Sequence, residues 1–206
     1  MFRKLISLTL FISFFLAGCD NNSASSKFYD DGRSKPVLAL NSVIDSTAYD
    51  LSWNLSDELT NSITKNLSLN KDIFVNTEEN VDKVLGMENP FSLDLNWMKN
   101  KFEQNEFVVF MELIKHEDKE EKNGVNLDMA MRVRIIDLRA KTPKVVLQEC
   151  IKDNFFIAKG DFKEDYTKVI YGSNEYSKSR MGLAHEHLAK NISDRISDYI
   201  SLVKSR

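Results

Sequence analysis

The stretch from Val125 to Ile135 alternates large apolar residues with polar or small ones along its whole length. A period of two over so many positions is typical of a β-strand with one buried face. Two further apolar stretches, 107–114 before it and 145–151 after it, have the length of strands. We therefore expect three consecutive strands. The first of them is apolar on both faces and should lie in the centre of the sheet.

Charged and turn-forming residues separate these three strands. The run from Glu117 to Lys122, just before Gly124, predicts an exposed hairpin loop, and the residues around Pro143 predict the second turn. The first loop is dense in carboxylates, so calcium binding is an alternative to a solvated tip, although calcium requires an ordered cage of oxygen atoms. Lysines between the carboxylates favour the solvated tip.

An amphipathic helix is predicted ahead of this group of strands. Leucine or isoleucine recurs every four residues from Leu51 to Leu67, with Asp57 and Glu58 in the N-terminal half. Short apolar runs at 37–40 and 73–75 flank this stripe and have the character of buried strands. A strand, helix and strand in this order predict a right-handed crossover between parallel strands.

The remaining elements are also predicted to be helical. Thr77 and Ser92 are candidate N-caps of two short helices, the first of which ends at Gly86. Apolar residues at helical spacing from Ala184 to Val203 predict a C-terminal helix. Residues 152–178 show no clear period and are predicted to be rich in loops.

The order β-α-β-α-α-β-β-β-α predicts a single compact α/β (α+β) domain, with a mixed β-sheet of about five strands and flanking helices. A chain of 206 residues is the right length for one domain. We assign residues 36–206 to this domain.

The first residues have the pattern of a bacterial secretion signal. Two basic residues precede an apolar segment, residues 5–16, that is too short to span a bilayer. The segment ends in Leu16, Ala17, Gly18 and Cys19, which together resemble the lipobox of bacterial lipoproteins. This resemblance implies that a signal peptide, residues 1–18, is removed and that lipid, including palmitate, is attached to Cys19. An ordinary signal peptide or an uncleaved anchor is the alternative.

Residues 19–35 are polar and lack an apolar period, which predicts a flexible tether between the lipid and the domain. We expect a membrane-anchored lipoprotein of the cell envelope, on the outer membrane and facing the periplasm. The inner membrane is the alternative because Asp20 follows Cys19, and some bacteria retain lipoproteins with this residue there.

Several phrases resemble chlamydial-type lipoproteins of unassigned function. They are residues 49–59 (YDLSWNLSDEL), 89–98 (NPFSLDLNWM), 132–138 (RVRIIDL), 143–149 (PKVVLQE) and 182–185 (GLAH). Residues 38–85 are also similar to an envelope module found in the curli-secretion lipoprotein, the lipoprotein activators of penicillin-binding proteins and the N-terminal part of the Tol-system propeller protein. The resemblance to the envelope module implies protein binding or assembly, the chlamydial-type family supplies no known activity, and neither resemblance transfers a catalytic residue to this chain.

The sequence contains little that points to catalysis or to a cofactor. A P-loop, a G-x-G-x-x-G motif and a G-x-S-x-G motif are all missing. His116, His185 and His187 are interpreted as surface or interface residues, with a metal site as the alternative; the i,i+2 spacing of the last two points them to different sides of a helix. Cys150, on a predicted strand, is interpreted as an inert thiol rather than a nucleophile.

Other side chains are candidates for packing or for binding. Arg132 and Arg134 share a strand face with Asp128, so they either pair there or present a surface to an anionic partner. Trp53 and Trp97 are interpreted as core or rim residues rather than a sugar-binding platform.

The function expected from the sequence is that of a non-enzymatic envelope lipoprotein whose domain docks or assembles with another envelope protein. A net charge of −3 gives no case for nucleic acid. No cofactor is expected, and a homo-oligomer is possible on this reading. A self-assembling secretion or pore component, in which the 125–135 strand faces lipid, is the first alternative. An envelope hydrolase is the second.

Overall fold

The computed structural model describes residues 26–76, 90–91, 95–159 and 169–204. These residues form one α+β domain, with an open, mixed, six-stranded sheet flanked by helices. The strands are β1 (Val37–Leu40), β2 (Ile44–Asp45), β3 (Phe74–Asn76), β4 (Phe107–Glu121), β5 (Gly124–Asp137) and β6 (Lys144–Ala158); the helices are α1 (Leu55–Ser68), α2 (Asn96–Lys101), α3 (Asn174–Lys178) and α4 (Arg180–Lys204). The predicted fold class is confirmed.

The sheet combines a parallel part and an antiparallel part in the order β3-β1-β4-β5-β6. β1 pairs in parallel with β3 and with β4, as expected for strands joined through a helix. β4, β5 and β6 form the predicted antiparallel meander. β2 is an additional strand beside β4. The sequence did not reveal it because two residues are too few to show a period.

Helices α1 and α4 cover one face of the sheet. Their apolar stripes are buried against alternate residues of β4 and β5, among them Leu59, Ile63, Leu188 and Ile192 from the helices and Val109, Met111, Leu127 and Met131 from the strands. On the opposite face, Met98 of α2 and the adjacent Phe102 pack on Val108 and Phe110. The first half of β4 is therefore buried on both faces, which confirms its predicted central position.

The charged run before Gly124 is strand rather than loop. β4 continues to Glu121, which pairs with Gly124, so the turn contains only residues 122–123. The prediction of a loop starting at Glu117 was wrong because exposed charged side chains do not prevent the backbone from pairing. The side chains from Glu117 to Glu121 are exposed, as predicted.

The loop-rich interpretation of residues 152–178 was also wrong for much of that segment. β6 continues to Ala158, and residues 174–178 form α3, with the Ser173 side chain accepting a hydrogen bond from the backbone of Tyr176. In the second half of β6 three polar residues, 152–154, are followed by four apolar ones, 155–158, so this largely solvent-facing run lacks the period of two that marks a strand.

Two predicted helices begin later in the chain than expected. α1 begins at Leu55 because the Asn54 side chain caps it, accepting the Asp57 backbone N–H at 3.2 Å. Leu51 lies before the helix and packs on the core. α2 begins at Asn96. The proposed Ser92 cap and the short helix predicted from Thr77 to Gly86 lie outside the described residues.

Residues 26–35, which the sequence assigns to the tether, form a turn in which Phe28 bridges to Ser34. The Tyr29 hydroxyl donates to the Asp72 carbonyl oxygen at 3.1 Å, which brings this turn against the start of β3. The domain boundary at Pro36 stays a prediction. None of the helices in the described ranges is both long and apolar enough to cross a membrane.

Candidate functional site

Three ionisable side chains meet in the interior between the helices and the sheet. Glu58, His116 and His185 are only 5%, 3% and 1% exposed. Buried ionisable groups are costly unless they are paired, and they are uncommon in a core for this reason. We call these three residues and Tyr176 the buried cluster.

Glu58 accepts three hydrogen bonds from the surrounding structure. It lies three residues after Leu55 on the buried side of α1. Its Oε1 atom accepts from the Tyr176 hydroxyl and lies 2.8 Å from Nδ1 of His185, and its Oε2 atom accepts from the Trp53 indole N–H at 2.6 Å. The carboxylate therefore joins α1 to both α3 and α4.

His185 connects this carboxylate to the sheet. It lies four residues after Met181 and three before Leu188, within the buried stripe of α4. Its Nε2 atom is 2.9 Å from Nε2 of His116 on β4, so one of these nitrogens donates and the other accepts. The Tyr49 ring packs on His116 with 3.9 Å between centroids.

A β-bulge is the reason that His116 faces the helices. Leu113 pairs with Met131 and Lys115 pairs with Ala130, so Ile114 is an extra residue in β4. Before the bulge the odd-numbered residues face α1 and α4, and after it the even-numbered ones do. Without the bulge, strict alternation along β4 would direct the His116 side chain to the opposite face.

Two members of the cluster, Glu58 and His116, have a defined charge state at neutral pH. Burial alone would raise the pKa of Glu58, but hydrogen bonds from His185, Tyr176 and Trp53, together with the charge of His185, bring this pKa below its ordinary value. Burial, followed by repulsion from the charge of His185, lowers the pKa of His116 to about 3. Glu58 is therefore ionised and His116 is neutral, and Nδ1 of His116 has no hydrogen-bond partner among the described residues.

Clefts open at both ends of the cluster. One, of about 430 Å³, is lined by Glu58, Tyr176, Tyr171 and Lys65, among others. Three aromatic rings lie beside it: Trp53 stacks on Tyr171 at 5.9 Å, and Tyr176 meets Trp53 edge to face at 5.2 Å. The other cleft, of about 500 Å³, lies between the 46–49 loop and β4, next to His116 and Asp118.

Among the described residues, the hydrogen bonds of the two imidazoles of the cluster run to other members of the cluster. Neither imidazole is hydrogen bonded to a serine, threonine or cysteine in the part of the chain that the structure describes. In that same part, no group of three or more His, Cys, Asp or Glu side chains is arranged to hold a metal ion.

The histidine prediction was wrong for two of the three residues. His116 and His185 are buried, whereas His187 has a 53% exposed side chain and pairs with Asp153 through Nδ1 at 2.8 Å. The signal for His185 was its place between Met181 and Leu188 in the apolar stripe. The i,i+2 argument is confirmed, because His185 points into the core and His187 points toward solvent.

The other candidate residues are dispersed over the domain. Cys150 is exposed on β6, the strand predicted for it. Arg132 pairs with Glu112 at 3.1 Å, while Arg134 is buried and donates to the Pro90 carbonyl oxygen at 2.9 Å, so neither pairs with Asp128 as the first interpretation had it. Asp128 pairs instead with Lys115 and Lys119.

The two tryptophans and the lipobox complete the candidate residues. Trp53 and Trp97 are partly buried, as expected of rim residues. Leu16, Ala17, Gly18 and Cys19 lie outside the described residues.

The fold and the buried cluster together define a helix-covered α+β domain with an internal polar network. The chain belongs to a family of unknown function, DUF7499, whose model matches residues 24–204. A search of curated proteins found no match.

Three solved structures are similar to the chain. The hypothetical protein CT253 from Chlamydia trachomatis is 20% identical, with 81% of this chain and 98% of that chain covered and a TM-score of 0.66. Protein XCC0632 from Xanthomonas campestris is 7% identical, with 89% of this chain and 92% of that chain covered and a TM-score of 0.51. Lipoprotein GNA1162 from Neisseria meningitidis is 12% identical, with 79% of this chain and 99% of that chain covered. Its TM-score of 0.44 is too low to establish a shared fold. The first two likenesses are of fold alone.

Proposed function

We propose that this protein is a non-enzymatic lipoprotein of the bacterial envelope, anchored through Cys19, whose domain binds another envelope protein. The observation that carries the proposal is the tetrapeptide ending in Cys19, followed by a polar stretch and then by a single domain. A tether of this kind keeps a binding surface at high local concentration beside the membrane. The chlamydial-type sequence phrases bear only on the lipoprotein part of the proposal.

The internal chemistry of the domain supports a role without catalysis. The Glu58 oxygens accept hydrogen bonds from Trp53, Tyr176 and His185, so the carboxylate is engaged inside the protein. A hydrolase requires a nucleophile or an activated water beside the base, with room for a substrate. Nε2 of His185 instead faces the buried ring of His116.

Replacing Cys19 with alanine is expected to abolish both lipid labelling and membrane anchoring. The wild-type chain should incorporate a palmitate analogue and sediment with membranes, because several acyl chains hold a protein firmly where one does not. The measurement is metabolic labelling followed by membrane fractionation. Cys150→Ala is the matched control, because it removes the other cysteine and should label as the wild type does. Labelling that survives in Cys19→Ala would contradict the anchor.

In-cell crosslinking of the full-length protein, followed by affinity capture and mass spectrometry, tests the docking role. One dominant foreign envelope protein is the expected result. A ladder consisting only of multiples of this chain would contradict docking and favour a self-assembling component. Turnover of an envelope substrate by the purified protein would contradict the non-enzymatic assignment.

A further inference from the structure

The geometry points to an acid-sensitive latch: the buried cluster holds α3 and the first turns of α4 against α1 and β4, and it releases them when His116 takes up a proton. This inference is independent of the proposed docking role. It concerns a movement of one part of the domain, and it can fail or succeed whatever the protein binds.

The cluster is placed to act as a latch because its members lie on four different elements. Glu58 is on α1, Tyr176 on α3, His185 on α4 and His116 on β4. Near the cluster, Glu186 of α4 also accepts hydrogen bonds from Ser62 and Asn66 of α1, but these groups are exposed and in competition with water. The buried contacts thus link the start of α4 to α1, α3 and β4, beside the exposed pair of His187 with Asp153 of β6.

The surroundings of His116 disfavour a positive charge on its ring, chiefly because the ring is buried. His185 of α4 faces its Nε2 atom, and Glu58 and Tyr176 lie beyond that ring. Tyr49 covers the His116 ring, and Asp118 on the same strand accepts the Tyr49 hydroxyl at 3.0 Å. β5 presents Met129, the pairing partner of His116. Nδ1 of His116 has no hydrogen-bond partner among the described residues, and the His116 backbone, which favours the charged ring, is outweighed by burial and by the charge of His185 in setting the low pKa of His116.

Acid therefore favours the open form, in which α3 and the first turns of α4 are released, over the closed form, which is the arrangement seen in the structure. In the closed form the pKa of His116 is about 3, whereas the ordinary value, expected once the ring meets water, is 6.5. Below about pH 6.5 the open form binds a proton that the closed form does not, so the closed form loses stability as the pH falls from there toward 3. Going from pH 7.5 to pH 5 should increase the open-to-closed ratio by about 30-fold, from these two pKa values.

The test is hydrogen exchange of the full-length protein in a neutral detergent at pH 7.5 and pH 5, corrected for the intrinsic exchange rate. Amides of residues 174–188 should lose about 30-fold in protection at pH 5. Amides in the paired centre of β4 and β5 should keep their protection. If all of these amides lose protection together, the protein unfolds globally and the latch is overturned. Unchanged protection in 174–188 overturns it as well.

Two histidine variants identify the group that responds. His116→Gln retains an amide that can hydrogen bond to His185 but cannot titrate, so the change between the two pH values should fall to less than about threefold. His187→Gln is the matched control, since it removes an exposed histidine two positions from His185 and should preserve the full change. A full response in His116→Gln, or its loss in His187→Gln, overturns the assignment. If His116→Gln does not fold, the wild-type comparison still decides whether residues 174–188 open alone.

Discussion

Replacing Glu58 with alanine is expected to lower the free energy of unfolding by about 3–5 kcal/mol, because a buried donor left without its acceptor costs about 1–3 kcal/mol and three donors share this carboxylate. The substitution leaves Trp53, Tyr176 and His185 without their shared acceptor, the Glu58 carboxylate, which is only 5% exposed. Urea unfolding, followed by far-ultraviolet circular dichroism and by tryptophan fluorescence, measures the change.

Two further variants of α1 separate charge from hydrogen bonding. Glu58→Gln retains one acceptor oxygen but turns an amide N–H₂ toward a donor, so it should cost about 1–3 kcal/mol. Asp57→Asn is the matched control, because the neighbouring Asp57 is exposed and should cost less than about 1 kcal/mol. A loss in Glu58→Ala no greater than that in Asp57→Asn would mean that the buried cluster does not stabilise the fold.

Gly182→Ala is expected to destabilise the protein by about 1–3 kcal/mol, the range for overpacking a core. Helix propensity alone predicts the opposite sign, since alanine is favoured over glycine by about 1 kcal/mol in a helix. A Cβ atom at this position would lie 2.2 Å from the backbone oxygen of Tyr176. The turn between α3 and α4, in which Ser179 accepts the Gly182 N–H at 3.0 Å, would have to open.

A double-mutant cycle shows whether this substitution acts through the buried cluster. Displacing α3 moves Tyr176 away from Glu58, so Gly182→Ala should cost less in a Glu58→Ala background than in the wild type. Lys190→Ala, on the exposed face of the same helix, is the control and should cost less than about 0.5 kcal/mol. Stabilisation by Gly182→Ala would show that α3 does not pack as closely on α4 as the structure has it.

The two predictions concern the same small region, where α3 and the start of α4 meet α1. Its packing combines buried polar contacts and one close backbone approach with apolar residues of α4 such as Met181 and Leu188, whereas the centre of the sheet depends mainly on apolar side chains. Such a region is where local opening is expected first. It also adjoins the cleft beside Trp53 and Tyr171, so opening would change the surface that this side of the domain presents.

The sequence alone was sufficient for the class of fold, because the periods of its apolar residues follow directly from backbone geometry. The alternation from Val125 to Ile135 predicted β5, and the run that is apolar on both faces predicted β4 as the central strand. The two apolar stripes at helical spacing predicted α1 and α4. Strand ends were less predictable. Charged residues at the end of β4 pair through their backbones, and the polarity of a side chain does not indicate whether its backbone pairs.

The buried cluster became visible only in the tertiary structure. Glu58 and His185 lie beside apolar stripes, so helical periodicity could have predicted their burial. It was missed because polar residues are normally exposed. The sequence could not predict which face of the sheet His116 occupies, because this depends on the bulge at Ile114. Nothing in the sequence marks a single unpaired residue in a strand. Local periodicity determined which segments fold into which elements. The packing of those elements decided that a carboxylate and two imidazoles, distant in sequence, share one interior, because burial and pairing are properties of the assembled domain.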